Sequence, residues 1–134
     1  MILQSLAGLP TYLAYFSTAF AIVIVYLIVY TRITPDDEFA LIRSNVPGAA
    51  IALGLSLLGF TLPVTSVVAH TENLIDCMIW GVIALIVQVI VYFAARIPVP
   101  NLPQRIAAGD LAPAIWLGSA SLAAGALSAA SISY

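Results

Sequence analysis

The side chains best suited to acid–base or metal chemistry lie in one short polar segment that contains His70, Glu72 and Asp76. An imidazole and two carboxylates this close together could bind a divalent cation or respond to pH near neutrality. The same three residues would equally suit a solvated turn, which needs polar side chains but no ligand. The sequence leaves both interpretations open, and the turn is the simpler one.

Gln88 is the one amide near the middle of a long uncharged stretch. An unpaired amide in hydrocarbon is unfavourable, so this side chain needs a hydrogen-bond partner. It could line a polar path across a membrane. It could instead bond to a neighbouring helix or subunit as a structural contact, which is the commoner arrangement.

Pro63 lies inside another uncharged stretch, with Thr61 and Thr65 on either side of it. Because proline has no N–H, it leaves the carbonyl oxygen of Gly59 without its usual helical donor. In some transporters such carbonyls bind cations beside hydroxyl groups. Most proline kinks in membrane helices are accommodated by neighbouring helices instead. A transport site would require Gly59, Thr61 and Gln88 to share one cavity.

Several function classes lack the residues that they require. No nucleophile–base pair, Gly-rich phosphate loop or multi-histidine set can be assembled, so we expect neither enzymatic activity nor a cofactor. One Cys and one His do not make a metal site of the usual spacing. A formal net charge of −2, with no Lys at all, argues against nucleic-acid binding.

Four uncharged stretches, residues 2–31, 44–71, 77–95 and 111–134, make up most of the 134-residue chain. Each is long enough to cross a hydrocarbon layer of about 30 Å and none has the polar face of a soluble helix. We therefore predict a single all-α membrane domain, residues 1–134, embedded in a lipid bilayer. The predicted spans are Tyr12–Tyr30, Ala49–Ala69, Cys77–Ala95 and Leu111–Ser131.

The arginines predict the orientation of these spans. Arg32 and Arg43 lie in the first connection, and Arg96 and Arg105 lie in the third. The second connection and both termini carry no basic residue. By the positive-inside rule we expect the first and third connections in the cytoplasm and both chain ends outside the cell.

The chain resembles itself at an offset of 64 residues, which aligns Arg32 with Arg96 and Gly54 with Gly118. The pattern predicts two repeats, at about residues 9–70 and 73–134, each made of two spans. Repeats with two spans have the same orientation in the membrane and are related by an axis along its normal. Chance identity between two apolar segments is the alternative.

The first connection has the signals of a short helix. Thr34 is a suitable cap and Pro35 a suitable first helical residue, and acids follow where the helix dipole favours negative charge. Phe39 begins an apolar stripe that would lie on the bilayer surface, one turn before a basic residue. The candidate partner-binding residues here are Asp36, Asp37, Glu38 and Arg43.

Small residues recur along the second and fourth spans and allow close helix packing. The positions singled out are Gly54, Gly118, Ser121 and Gly125. Such faces predict tight contact between the second spans of the two repeats, or between copies of the chain. We expect a homo-oligomer, because four thin spans leave much contact surface.

The run Thr34–Arg43, followed by Ala49–Gly54 and by Gly59-Phe60-x-x-Pro63, resembles the YjfL family of small bacterial inner-membrane proteins. Asp76, Trp80 and Gln88 are also similar, and the resemblance covers nearly the whole chain. It implies a tandem domain of unknown function in a four-span chain, with no assigned biochemical activity. It further implies an association with envelope-stress and phage-shock-like membrane systems.

Two functions from different classes follow as hypotheses. The first is a non-catalytic, oligomeric component of the bacterial inner membrane that presents its acidic segment to a cytosolic or peripheral stress protein. The second is an oligomeric channel or transporter for an ion or small solute, with a path containing Gln88 and the Pro63 kink. The spans contain no acidic or basic residue that could couple transport to protons, so the second hypothesis takes the form of a passive or hydrophobically gated pore.

Overall fold

Seven helices make up the computed structural model of the chain, which describes residues 1–35 and 37–132. Four helices are long and apolar enough to cross a membrane, and the first of these spans includes a short leading helix. In chain order the helices are α1 Ile2–Leu6, α2 Leu9–Ile33, α3 Glu38–Arg43, α4 Pro47–His70, α5 Leu74–Ala95, α6 Leu102–Ala107 and α7 Leu111–Ile132. The prediction of an all-α fold with four spans is confirmed.

The end of α2 differs from the sequence prediction. Thr34 terminates α2, since its backbone N–H donates to the carbonyl oxygen of Tyr30 at 3.2 Å. The side chain that caps α3 is that of Asp37, which accepts from the N–H of Ala40 at 3.3 Å. Thr34 and Pro35 therefore do not begin the next helix as predicted. Asp36 lies outside the described residues.

The main contact in the fold lies between α4 and α7, which run in the same direction. Gly48 lies against Ala114 near one end, and Ser66 donates to the carbonyl oxygen of Ala129 at 2.8 Å near the other. In contrast, α2 contributes few residues to the core, and its buried side chains are Tyr26 and Tyr30.

Two glycines set the close approach of α4 to α7. A Cβ added at Gly125 would overlap the backbone of Gly59, and a Cβ added at Gly59 would lie 2.5 Å from the carbonyl oxygen of Ser121. At Gly118 the neighbour is the side chain of Leu55. These distances leave no room for a larger residue at Gly59 or Gly125.

Gly54, one of the predicted packing positions, does not take part in this contact within the chain, and its packing between copies of the chain stays a prediction. It is exposed, and a Cβ added at this position would meet nothing within 4 Å. The reason is rotational: α4 turns its Gly48, Ser56 and Gly59 side toward α7, and Gly54 falls on another face.

Candidate functional site

The membrane-embedded candidate site is built around the proline of α4. Pro63 is buried inside the helix and has no N–H to donate to the carbonyl oxygen of Gly59. That oxygen lies in the bundle interior, where a missing hydrogen bond is unfavourable. Pro63 thus leaves the carbonyl oxygen of Gly59, at the contact between α4 and α7, without a donor from its own helix.

The side chain of Gln88 in α5 supplies the missing donor to the carbonyl oxygen of Gly59. Its Nε2 donates to the carbonyl oxygen of Gly59 at 3.4 Å and to that of Ser121 at 3.2 Å. Its Oε1 accepts a hydrogen bond from Oγ of Ser121 at 2.5 Å. One amide side chain therefore joins α5 to both α4 and α7, and we call these three residues the Gln88 junction.

The Gln88 junction is closed to solvent. Gln88 is 2% exposed and Ser121 is 4% exposed. The ring of Tyr26 in α2 stacks on Phe60 of α4 with centroids 4.4 Å apart, and Tyr26 is buried. The fourth long helix thereby packs against α4 one residue from Gly59.

The threonines flanking Pro63 have a separate arrangement. Thr61 donates to the carbonyl oxygen of Leu58 at 2.8 Å, and Thr65 donates to that of Leu62 at 2.7 Å. Thr65 is exposed and borders an apolar groove between α2 and α4. Both hydroxyls are thus satisfied within α4, whereas Gln88 bonds between helices, so the shared cavity that a transport site would require is not formed by these residues.

Glu38 is buried, in contrast to the exposed acidic surface that the sequence suggested. It is 6% exposed and borders a small cavity together with Tyr30, Thr34 and Tyr92. The reason is that capping by Asp37 starts α3 with its first residue turned toward the bundle. Of the candidate partner-binding residues that the structure describes, Asp37 and Arg43 remain exposed.

The segment with His70, Glu72 and Asp76 forms local contacts. His70 Nδ1 lies 2.9 Å from the carbonyl oxygen of Ser66, and Asn73 caps α5 by accepting from the N–H of Asp76 at 2.8 Å. Within residues 1–35 and 37–132, no group of three or more His, Cys, Asp or Glu side chains is placed to hold a metal ion.

The sequence does not predict the aromatic and hydroxyl residues of the interior. Tyr26, Tyr30, Ser56 and Tyr92 are all buried, and the rings of Tyr30 and Tyr92 pack edge to face with centroids 5.7 Å apart. The only signal was the spacing of Tyr26 and Tyr30, which places both on one face of a helix. Nothing in an apolar helix indicates that this face is the inner one.

Comparison with known proteins identifies the family. Residues 4–132 match the family described as Domain of Unknown Function (DUF350). The chain is 34% identical over 129 residues to the "UPF0719 inner membrane protein YjfL" of Escherichia coli (strain K12), covering 96% of this chain and 98% of that protein. The protein of the same name from Escherichia coli O157:H7 gives the same values. No solved structure matches. The resemblance to the YjfL family is confirmed, and the chain belongs to the DUF350 family.

Proposed function

We propose that this protein is a non-catalytic component of an oligomeric assembly in the bacterial inner membrane, associated with envelope stress. The names of its relatives, which describe them as inner membrane proteins, support the inner-membrane location. The family resemblance of the Thr34–Arg43 run supports the association with envelope stress. The protein acts through the surfaces that it presents.

One observation carries the proposal. Gln88, the polar side chain best placed to line a path, is 2% exposed and bonds to α4 and α7 through both ends of its amide. A residue with this role fixes the relative positions of helices. Because its helices are fixed relative to one another, the bundle presents the surfaces at its two ends to partners in a defined arrangement.

The proposed topology places the four arginines in the cytoplasm and both chain ends outside. The parallel course of α4 and α7 supports two repeats of the same orientation, at about residues 9–70 and 73–134. The ring of Phe39 is exposed and lies one helical turn before the basic residue Arg43, which supports an α3 that lies on the bilayer surface.

The surface offered to a partner includes Asp37 and Arg43, which are exposed on α3 or at its start. It does not include Glu38, because that carboxylate is turned inward. A partner with both acidic and basic groups would complement this surface. Its contacts would weaken at high salt, since exposed charges are screened.

Site-specific photo-crosslinking in cells tests this proposal. A photoreactive residue at Arg43 is expected to capture a protein partner, with a yield that rises under envelope stress. The matched control is Asn73, an exposed residue in the connection between α4 and α5. The proposal is wrong if Arg43 captures nothing, or if both positions capture the same proteins equally.

The oligomeric state is tested by the mass of the protein excised from membranes without detergent. We expect particles that contain several copies of the 14.1 kDa chain. Particles with a single copy at every protein density would contradict the oligomeric part of the proposal. The partner surface is tested separately, by the crosslinking experiment.

A further inference from the structure

We propose that α5 is the helix through which copies of this chain associate, by means of a row of apolar side chains that faces away from its own bundle. The inference rests on the oligomeric part of the proposed function and names the surface that this part requires. The row, which we call the α5 ridge, consists of Ile79, Ile83, Ile86, Ile90 and Phe93.

The two sides of α5 differ in composition. The side turned into the bundle carries mostly small or polar residues, among them Cys77, Gly81, Ala84 and Gln88. Every isoleucine of α5 lies on the other side, and the side chains of the α5 ridge are 39–61% exposed. Isoleucine is therefore concentrated where its own chain does not cover it.

The spacing of the α5 ridge is that of a coiled-coil seam. Ile79, Ile86 and Phe93 follow one another at intervals of seven residues, and so do Ile83 and Ile90. The two series are offset by four residues, which gives the alternating steps of four and three found at a and d positions. Contact with lipid requires only apolar side chains, whereas a seven-residue repeat keeps one row facing the same partner helix. In a bilayer such side-chain packing drives helices together.

The equivalent row in the first predicted repeat is covered by the chain itself. At the offset of 64 residues the α5 ridge aligns with five residues of α2, none of which is exposed: Tyr15, Ala19, Ile22, Tyr26 and Val29. Ile22 lies against Gly81 of α5, and Tyr26 stacks on Phe60 of α4. The same row of positions thus forms helix contacts in α2 and is exposed in α5.

The surface around the α5 ridge is complementary to a copy of itself. A groove of about 410 Å³ lies between α5 and α2, and another of about 390 Å³ lies between α5 and α7. Each copy therefore presents a ridge and, on both sides of it, a groove that a ridge can enter. Contact between identical subunits requires such a self-complementary surface. Because all copies have the same orientation in the membrane, their α5 helices would run parallel.

The surface area sets the scale of this contact. The chain has an accessible surface of 7651 Å², whereas a compact monomer of 14.1 kDa has about 6,700 Å². The chain thus exposes more surface than its mass requires. The excess is close to the ~800 Å² that each partner covers in a standard protein–protein interface.

Oxidative crosslinking of the full-length protein in native membranes tests the α5 ridge. In a Cys77→Ala background, Ile79→Cys and Ile86→Cys should form disulfide-linked dimers, because a residue on the seam approaches its counterpart within the about 7 Å between Cα atoms that a disulfide spans. Met78→Cys is the matched control. Met78 is 47% exposed and lies at the depth of Ile79, about a quarter turn from the ridge.

Equal crosslinking of the ridge cysteines and Met78→Cys would overturn the inference. If particles excised without detergent still contained several copies, the oligomeric part of the proposed function would stand and only its assignment to α5 would fail. Particles with a single copy would contradict both.

A second variant removes the packing without adding a cysteine. In the double variant Ile79→Ala, Ile86→Ala, association of labelled copies, measured by energy transfer on dilution with lipid, should weaken roughly tenfold or more. Leu58→Ala, which shortens an exposed side chain of α4, should leave association unchanged. Helix content by circular dichroism should be the same in both variants and the wild type, since both sites are exposed. Association of the double variant as tight as that of the wild type would overturn the inference.

Discussion

Nε2 of Gln88 lies 3.4 Å from the carbonyl oxygen of Gly59, the oxygen that Pro63 leaves without a helical donor. Two features that a bilayer disfavours, a proline within a span and an amide at mid-span, thus satisfy each other. Ser121 completes the arrangement by accepting from and donating to the same amide. The consequence is that α4, α5 and α7 meet at one buried polar point.

Gln88→Leu should destabilise the bundle by about 1–2 kcal/mol, because the carbonyl oxygen of Gly59 and the hydroxyl of Ser121 lose their shared partner. Reversible unfolding in mixed micelles measures the change. Thr65→Val is the matched control, since Thr65 is exposed and bonds only within its own helix. Equal effects of the two substitutions would contradict the role assigned to Gln88.

Pro63→Ala should reduce the effect of Gln88→Leu. The alanine N–H can donate to the carbonyl oxygen of Gly59, so this oxygen would no longer depend on Gln88. A double-mutant cycle should give a coupling of about 0.5–1 kcal/mol between positions 63 and 88. Additive effects would mean that Gln88 does not compensate for the proline.

Gly125→Ala should be strongly destabilising, by about 2 kcal/mol or more, because its new methyl group would overlap the backbone of Gly59. Gly54→Ala should be neutral or slightly stabilising, since that position faces open space and alanine favours the helix. Unfolding of both variants in the same micelles compares them. Similar losses at the two glycines would show that the contact between α4 and α7 is not as close as described.

Cysteine labelling tests the topology. In a Cys77→Ala background, Ser44→Cys and Asn101→Cys should react with a membrane-impermeant reagent only after the cytoplasmic side is opened. Glu72→Cys should react in intact spheroplasts. All three positions are exposed in the structure. Reaction of Ser44→Cys from outside would reverse the proposed orientation.

The spans could be predicted because the hydropathy of a stretch is the sum over its residues. A helix of about 20 apolar, uncharged residues is stable in the hydrocarbon layer in any rotation about its own axis. The predicted second span, Ala49–Ala69, accordingly falls within the observed Pro47–His70. The number of spans, four, depends on composition and length, and both can be read from a single sequence.

The rotation of each helix could not be predicted for the same reason. A span that is apolar on every side has no polar face to orient it, so Gly54 and Gly59 are equivalent in sequence and opposite in role. Gln88 was recognised because an amide at mid-span is rare. Pro63 likewise indicates the freed carbonyl oxygen of Gly59, but neither the pairing of that oxygen with Gln88 nor the contribution of Ser121 has a sequence signature.

The sequence does not predict the burial of Glu38, because its pattern indicates a helix start at Thr34 and not at Asp37. Thr34-Pro35 is a good helix start in isolation, but Thr34 is held at the end of α2 by its hydrogen bonds to Tyr30. A shift of the cap from Thr34 to Asp37 changes which acid faces the bundle. The continuation of α2 to Thr34 therefore overrides the signal for a helix start at this residue.

Ion flux through proteoliposomes tests most directly whether the buried polar residues hold the bundle together instead of forming a path. Liposomes with the wild-type protein, loaded with an ion-sensitive dye, should show no more flux than protein-free liposomes at any protein density. Gln88→Leu should leave the ion flux at this background or raise it, because a loosened bundle would leak. Wild-type flux well above the background that is lost in Gln88→Leu but retained in Thr65→Val would contradict the account and identify Gln88 as part of a conducting path.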